Sequence, residues 1–352
     1  MQVTGWAMEA RGAPLAPLTW EATPGPGEAL VEVAGCGVCH TDLSFLDDGV
    51  PVRHALPLVL GHEVAGRVVA EGPGGRDLEG RSVVVPAVIP CGACPSCARG
   101  RGSICRRQVF PGNDVHGGFA THVLVPARGL VPVDLAFGDP ALRRLAVVAD
   151  AVSTAWEAVR RAGVGPGDFA VFVGAGGVGG FGVQVARALG ARVLALDVDP
   201  ERLALVAAHG AEWTLDVRDR SPADLKRAVR GLAKEAGLAP EGWRLFETSG
   251  TRAGQEAAFA LLGPGAHLGV VGFHPGDATV RLSNLMAFDA RAEGVWGCPP
   301  EQYPAVLDLV TTGRLDLAPF VEEHPLDQVN AVLDRLRGKA LRRRPILVPG
   351  RG

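Results

Sequence analysis

No basic stripe runs along this chain. Its 352 residues carry a formal net charge of −3 with both signs mixed throughout, which excludes the electrostatic footprint of a nucleic-acid binder. No opening stretch joins a basic start, an apolar block and a small-residue cleavage site, so the chain is expected to be unprocessed and cytoplasmic. No membrane span is expected either: the uncharged run 169–186 has the hydropathy of one but carries six glycines. Internal repeats and low-complexity segments are also missing. Charged residues are few, at 21%, whereas glycine (48) and proline (27) are abundant, which points to a β-rich, turn-rich region. The length is too great for one small core and suits two domains.

The stretch 168–199 organises the rest. An apolar run, 169–173, precedes Gly174-Ala175-Gly176-Gly177-Val178-Gly179; a helix-like segment and a second apolar run, 193–196, end on Asp197. The order is strand, glycine turn, helix, strand, acid. Gly174 permits a tight turn, Gly176 lets a pyrophosphate approach the backbone, and Gly179 lets the helix pack on its strand. The helix N-terminus, with Gly177 and Val178, offers unpaired N–H groups to the anion. Asp197, about twenty residues on, is placed to hold a ribose 2′-hydroxyl. An acid there disfavours a 2′-phosphate and so favours NAD over NADP, with Arg202 nearby in sequence as the opposing feature.

Residues 1 to about 150 read as short strands, 29–34, 64–70 and 82–86 among them, separated by Gly and Pro clusters. That rhythm indicates a β-barrel or sandwich. From about Val152 it changes to helix–strand alternation, expected to form a doubly wound parallel sheet. After Ala292 come Val295-Trp296-Gly297, helices at about 300–312 and 326–337, and a last strand at 345–348.

Seven cysteines in a chain of this kind are more suited to metal than to disulfides. Cys91, Cys94, Cys97 and Cys105 stand at two-, two- and seven-residue spacings. Four thiolates close a tetrahedral shell around zinc and leave no open position, so this site is structural. An iron–sulfur cluster also uses four cysteines, but the ferredoxin spacing has a shorter last gap and a following proline, where this chain has Arg106. A second set is scattered: Cys39-His40-Thr41-Asp42, Gly61-His62-Glu63 and Asp150. Each piece alone has an ordinary reading, Cys36 and Cys39 as a redox pair or two buried small residues among them. Together, upstream of a dinucleotide fold, they suit removal of a hydroxyl proton by a Lewis-acidic metal while hydride leaves for NAD.

These segments, with 117–120, resemble the zinc-dependent medium-chain alcohol dehydrogenases over essentially the whole chain. The resemblance implies an α/β protein in which a Rossmann domain (152–296) is flanked by a GroES-like β-barrel catalytic domain built from 1–151 and 297–352, with substrate between them. It implies Cys39, His62 and Asp150 as catalytic zinc ligands. Asp150 stands where many relatives have a cysteine, a change that makes the metal harder and more Lewis-acidic. By the same likeness Thr41 receives the alcohol proton, Glu63 is the acid that approaches the metal transiently, and Asp42 orients the His ligand. His40 and Arg344 match basic contacts to the pyrophosphate, Arg344 having as its other reading a solvated charge in the run 342–344. Thr154 falls near the nicotinamide. Ser44 replaces the histidine that passes the proton outward in many relatives. The likeness also implies a homodimer or homotetramer, pairing near 295–297.

A narrower likeness rests on 88–91, 110–114, 147–152, 281–288 and 295–298, which are similar to the 6-hydroxycyclohex-1-ene-1-carbonyl-CoA dehydrogenases. It implies an alicyclic hydroxyacyl-CoA substrate, with Arg291, Arg342 and Arg343 available for its phosphates. A general small-alcohol dehydrogenase, a zinc-free quinone or enoyl reductase, and a non-catalytic nucleotide sensor are the rival readings. Cys298 receives no role from the sequence.

Overall fold

In the computed structural model, which describes residues 1–350, one strand organises the first of two units. Glu28–Gly37 pairs with Glu63–Glu71 along its length, with His122–Pro126 over its first half, and with Arg344–Val348 at Cys36 and Gly37. Two register shifts in its pairing with Glu63–Glu71, at Leu30/Val31 and Val33/Gly35, bend it. Ser82–Val85, Val131–Val133 and Val321–Pro325 complete a seven-stranded sheet. A second sheet sets Gln2–Met8 between Ala16–Glu21 and Leu58–Val59. The strands expected at 29–34, 64–70 and 82–86 are therefore the centre of the β domain. Among the described residues its hydrogen-bonded path does not close into one ring; an isolated bridge, Gly5 to Ala120, links the small sheet onward. Val31, Val33, Val64, Val68, Val83 and Val85 fill the core, each fully buried side chain stabilising by roughly 1.5–3 kcal/mol.

His116 sits at the margin of this core, its ring 4.8 Å from Trp20 and 4.7 Å from His54. Its Nδ1 accepts the Val59 N–H at 3.2 Å, which makes it the neutral tautomer with the proton on Nε2. Burial, with His54 beside it, pushes its pKa down to about 4. An unfolded histidine titrates near ~6.5, so as pH falls from there toward about 4 the unfolded chain takes the proton first and the fold loses stability. Urea unfolding at stepped pH should show a shallower loss across that window in His116→Gln; an unchanged slope would contradict this account.

The second unit is a six-stranded parallel sheet ordered Trp213–Asp216, Arg192–Asp197, Phe169–Val173, Arg244–Glu247, His267–Val270, Arg291–Gly294. Strand order reverses beside Phe169–Val173, and the glycine turn leaves from that strand's C-terminal end, where such sheets bind ligands. Phe172 stacks on Phe246 at 4.6 Å, and Phe169 meets Trp213 and Trp243 edge-on. Two boundaries differ from expectation. The edge strand is Arg291–Gly294, just before the expected 295–297, because its register is set by parallel pairing with His267–Val270. Asp308–Pro319 groups with the second unit rather than with the returning chain: Gln184 bonds both N–H and carbonyl of Asp316, and Arg314 reaches the Ala188 carbonyl. No helix among the described residues is long and apolar enough to cross a membrane.

Candidate active site

Four sulfurs converge first. Cys94 Sγ lies 3.5 Å from Cys97 Sγ and 3.7 Å from Cys105 Sγ, and Cys91 Sγ lies 4.0 Å from Cys97 Sγ. A tetrahedron with a Zn–S length of ~2.3 Å has an edge of ~3.8 Å, so these gaps fit one ion. They are too long for disulfides, whose sulfurs stand ~2.05 Å apart, and too short for thiolates spread over separate irons. Cys91 is pulled down to about 6, chiefly by the Ala93 backbone N–H, while burial and Cys94 push Cys97 up to about 11.

The scattered set also converges. Cys39 caps the N-terminus of helix His40–Leu46, His62 follows the left-handed Gly61 (φ 96°), and Asp150 ends the turn Leu145–Ala149. Their donor atoms all lie within 4.8 Å of one another. His62 is 1% exposed, and neither ring nitrogen has an aligned hydrogen bond. Asp42 Oδ1 stands 3.4 Å from Nδ1 and Asp150 Oδ2 3.5 Å from Nε2. Asp42, buried, accepts the Cys39 and Gly61 N–H groups as well, which fixes both ligand-bearing segments. Burial would lower the His62 pKa, yet Asp42 and Asp150 raise it well above its ordinary range. Burial likewise opposes ionisation of Cys39, but the Arg344 charge and His62 bring its thiol down. The cage is electrostatically arranged for a cation, and its thiolate, imidazole and carboxylate are a donor set zinc accepts.

Around the cage, Thr41 Oγ1 is 3.5 Å from Cys39 Sγ. The Phe110 ring is 5.0 Å from that of His62, an apolar wall for which the sequence offers no local signal. Glu63 is fully buried and takes a two-pronged ion pair from Arg344, Nε and Nη2 each at 2.7 Å. Burial pushes its carboxyl up while Arg344 pulls it down. Arg344 is thus no solvated charge, unlike exposed Arg342 and Arg343. Cys36 is buried and its thiol is pushed well up by burial and then by Asp42, which removes it as a redox partner of Cys39. His40 is exposed on the first turn of its helix, Ser44 is buried, and Thr154 is buried in helix Ala151–Arg161.

In the second unit Gly174 has φ 102°, and an added Cβ there would meet the Ser249 nitrogen at 2.6 Å. A Cβ at Gly179 would lie 1.9 Å from the Gly174 carbonyl oxygen. Gly176 precedes helix Gly177–Ala188, so Gly177, Val178 and Gly179 form its first turn, with no side chain capping the N-terminus. Asp197, buried at its strand end, accepts the Ala175 N–H at 2.6 Å and the Asp199 N–H at 2.9 Å. Arg202 Nη1 lies 3.7 Å from the Cβ position of Gly176. The strand, turn, helix and acid stand in the expected order, and glycine is sterically required at Gly174 and Gly179, whereas a Cβ on Gly176 would meet nothing closer than 3.7 Å.

Comparison with known proteins agrees. Residues 25–135 match the alcohol dehydrogenase GroES-like domain and residues 177–312 match the zinc-binding dehydrogenase domain. An alcohol dehydrogenase of Moraxella sp. (strain TAE123) is 30% identical over 90% of both chains. An L-threonine 3-dehydrogenase of Thermococcus kodakarensis is 31% identical over 85% of this chain and 83% of its own. A cobalt- and zinc-bound thermostable alcohol dehydrogenase from Pyrobaculum aerophilum superposes with a TM-score of 0.85 at 26% identity, covering 99% of this chain and 100% of its own. The chain belongs to the zinc-dependent medium-chain alcohol dehydrogenases, oxidoreductases that act on CH–OH donors.

Proposed function

We propose that the chain oxidises a secondary alicyclic alcohol, carried as a hydroxyacyl-CoA thioester, to the ketone and passes hydride to NAD. The observation that carries the metal half is the cage itself: three unlike donors within 4.8 Å, around a buried imidazole lacking an aligned hydrogen bond. Three protein ligands leave a fourth position for substrate, unlike the closed four-sulfur site. Cys39, His62 and Asp150 would hold zinc, whose Lewis acidity would favour loss of the alcohol proton at neutral pH. Asp42 keeps the His62 ring oriented. Thr41, whose Oγ1 is 3.5 Å from Cys39 Sγ, relays the hydroxyl proton, taking it as it gives its own onward toward solvent. Ser44 is buried and lacks the basicity of an imidazole, so the proton leaves by another route than in relatives with histidine there.

The turn 174–179 holds the dinucleotide phosphates at its helix N-terminus and Asp197 takes the adenosine ribose, with Arg202, His40, Thr154 and Arg344 as further contacts. Exposed Arg291, Arg342 and Arg343 are the cations proposed to meet CoA phosphates, Arg342 while its Nη1 donates to the Lys339 carbonyl. Phe273, Leu282, Met286 and Trp296 are exposed on and beside the segment leading to the edge strand Arg291–Gly294; they support assembly as a homodimer or homotetramer.

NADH formation should be followed with alicyclic hydroxyacyl-CoA thioesters beside the free alicyclic alcohols and simple alcohols. The thioesters are expected to give the highest kcat/KM. Equal or better turnover of simple alcohols would reduce the reading to a general alcohol dehydrogenase. Activity surviving complete zinc removal would point to the quinone or enoyl reductase reading, and NAD binding with no turnover at all to a sensor.

A further inference from the structure

Asp150 is the one proposed ligand that stands alone between two elements, the turn Leu145–Ala149 before it and helix Ala151–Arg161 after it, with φ −139° and ψ −65°. Its backbone is held on both sides. After it, the Ala151 N–H donates to Glu63 Oε1 at 2.9 Å. Before it, the Ala149 carbonyl accepts the Ala87 N–H at 3.1 Å and the phenol of Tyr303 at 2.5 Å. The Ser153 hydroxyl, from the first turn of the following helix, lies 3.2 Å from the same phenol oxygen and also within reach of the Asp150 and Ala149 carbonyls, at 3.3 and 3.4 Å. Tyr303 is the only tyrosine in the chain and is 1% exposed. It arrives from the returning segment, which packs so closely that a Cβ on Gly297 would meet Val88 Cγ2 at 2.7 Å.

A carboxylate needs such holding more than a thiolate does. A cysteine's donor atom is bonded directly to Cβ, whereas an aspartate's donors lie one bond further out, behind an extra torsion, and come as two equivalent oxygens. Where the donor points therefore depends on how firmly the backbone beneath it is fixed, and groups behind a ligand set its orientation and affinity.

We infer that Tyr303 is a positioning residue for the metal centre, clamping Ala149 and Ser153 on either side of Asp150 so that its carboxylate meets Cys39 and His62. This rests on Asp150 being a ligand, and the experiment separates the two claims. Cobalt is exchanged into the catalytic site, and its visible bands are recorded together with the rate of metal release to a chelator from each site. Tyr303→Phe removes one O–H group. Release of the catalytic ion should be about tenfold faster, the lower end of what such supporting groups supply, and the cobalt bands should shift. Release from the four-cysteine site should not change. Ser153→Ala should move both readouts the same way by less.

Asp150→Ala tests the underlying reading: if it keeps the catalytic ion with unaltered bands, Asp150 is not a ligand. If Asp150→Ala loses the ion while Tyr303→Phe keeps the parent's bands and release rate, the positioning role is overturned. Equal acceleration at both sites would also overturn it, leaving Tyr303 a packing residue. Should Tyr303→Phe fail to fold, Ser153→Ala decides: unchanged release and bands overturn the proposal.

Discussion

Replacing Cys39 by alanine should empty one metal site and leave everything else standing. The parent is expected to hold about two zinc ions per chain and the variant about one, because the four-cysteine shell shares no donor with the cage. His62 and Asp150 alone cannot hold the ion against water: two donors do not close three corners of a tetrahedron, and loss of the thiolate removes the strongest of them. Without it the hydroxyl proton must leave an unassisted alcohol. The several kcal/mol a Lewis acid contributes translate into a fall in kcat/KM of about 10³-fold or more. NADH titration by fluorescence should give an affinity close to that of the parent, since the glycine turn belongs to the second unit. Metal analysis, turnover and NADH binding on one preparation check all three. Full turnover by Cys39→Ala, or by protein stripped of metal, would contradict the proposed chemistry.

What could be read in advance depended on whether the relevant contacts are local. The cysteines at 91, 94, 97 and 105 occupy one loop, so spacing alone brings their sulfurs together. The glycine turn is equally local, and the strand, helix and acid around it are consecutive. Cys39, His62 and Asp150 come from a helix cap, a loop and the end of a turn, and pairing of Glu28–Gly37 with Glu63–Glu71 is what brings the first two together. Shared chemistry suggested that they act together, but their assignment as the three ligands of one ion was legible only through family likeness. Arg344 shows the limit more sharply. In the run 342–344 it reads like its neighbours, but strand Arg344–Val348 buries it while Arg342 and Arg343 stay exposed. Its partner Glu63 is set by tertiary packing that no short window contains. The edge strand Arg291–Gly294, composed as Arg-Ala-Glu-Gly, carries no strand signature of its own and exists because a neighbour offers it a parallel ladder.

Removal of the Arg344 charge should cost more stability than removal of the whole ion pair. Glu63 has no exposed surface and Arg344 is 8% exposed, and their two-pronged contact is reinforced by the Ala151 N–H on Glu63 Oε1. The carboxylate is closely walled on one side: a Cβ placed on Gly37 would fall 2.0 Å from Glu63 Oε2. Arg344→Met therefore leaves a carboxylate both desolvated and unpaired, and the chain should lose about 3–5 kcal/mol against denaturant. Glu63→Gln with Arg344→Met leaves a neutral amide that can still accept from Ala151 beside an apolar side chain, and should recover much of that loss. The double-mutant cycle then returns a coupling energy of a few kcal/mol, at the upper end for neighbours in one network. The same variants bear on function, because Glu63 ties the Ala151 N–H that follows the proposed ligand Asp150: Arg344→Met should bind the catalytic ion more weakly even where it remains folded. If Arg344→Met matched the parent in urea, or the double variant were no more stable than the single, the pair would be a surface-like contact despite its burial, and the cage would not depend on it.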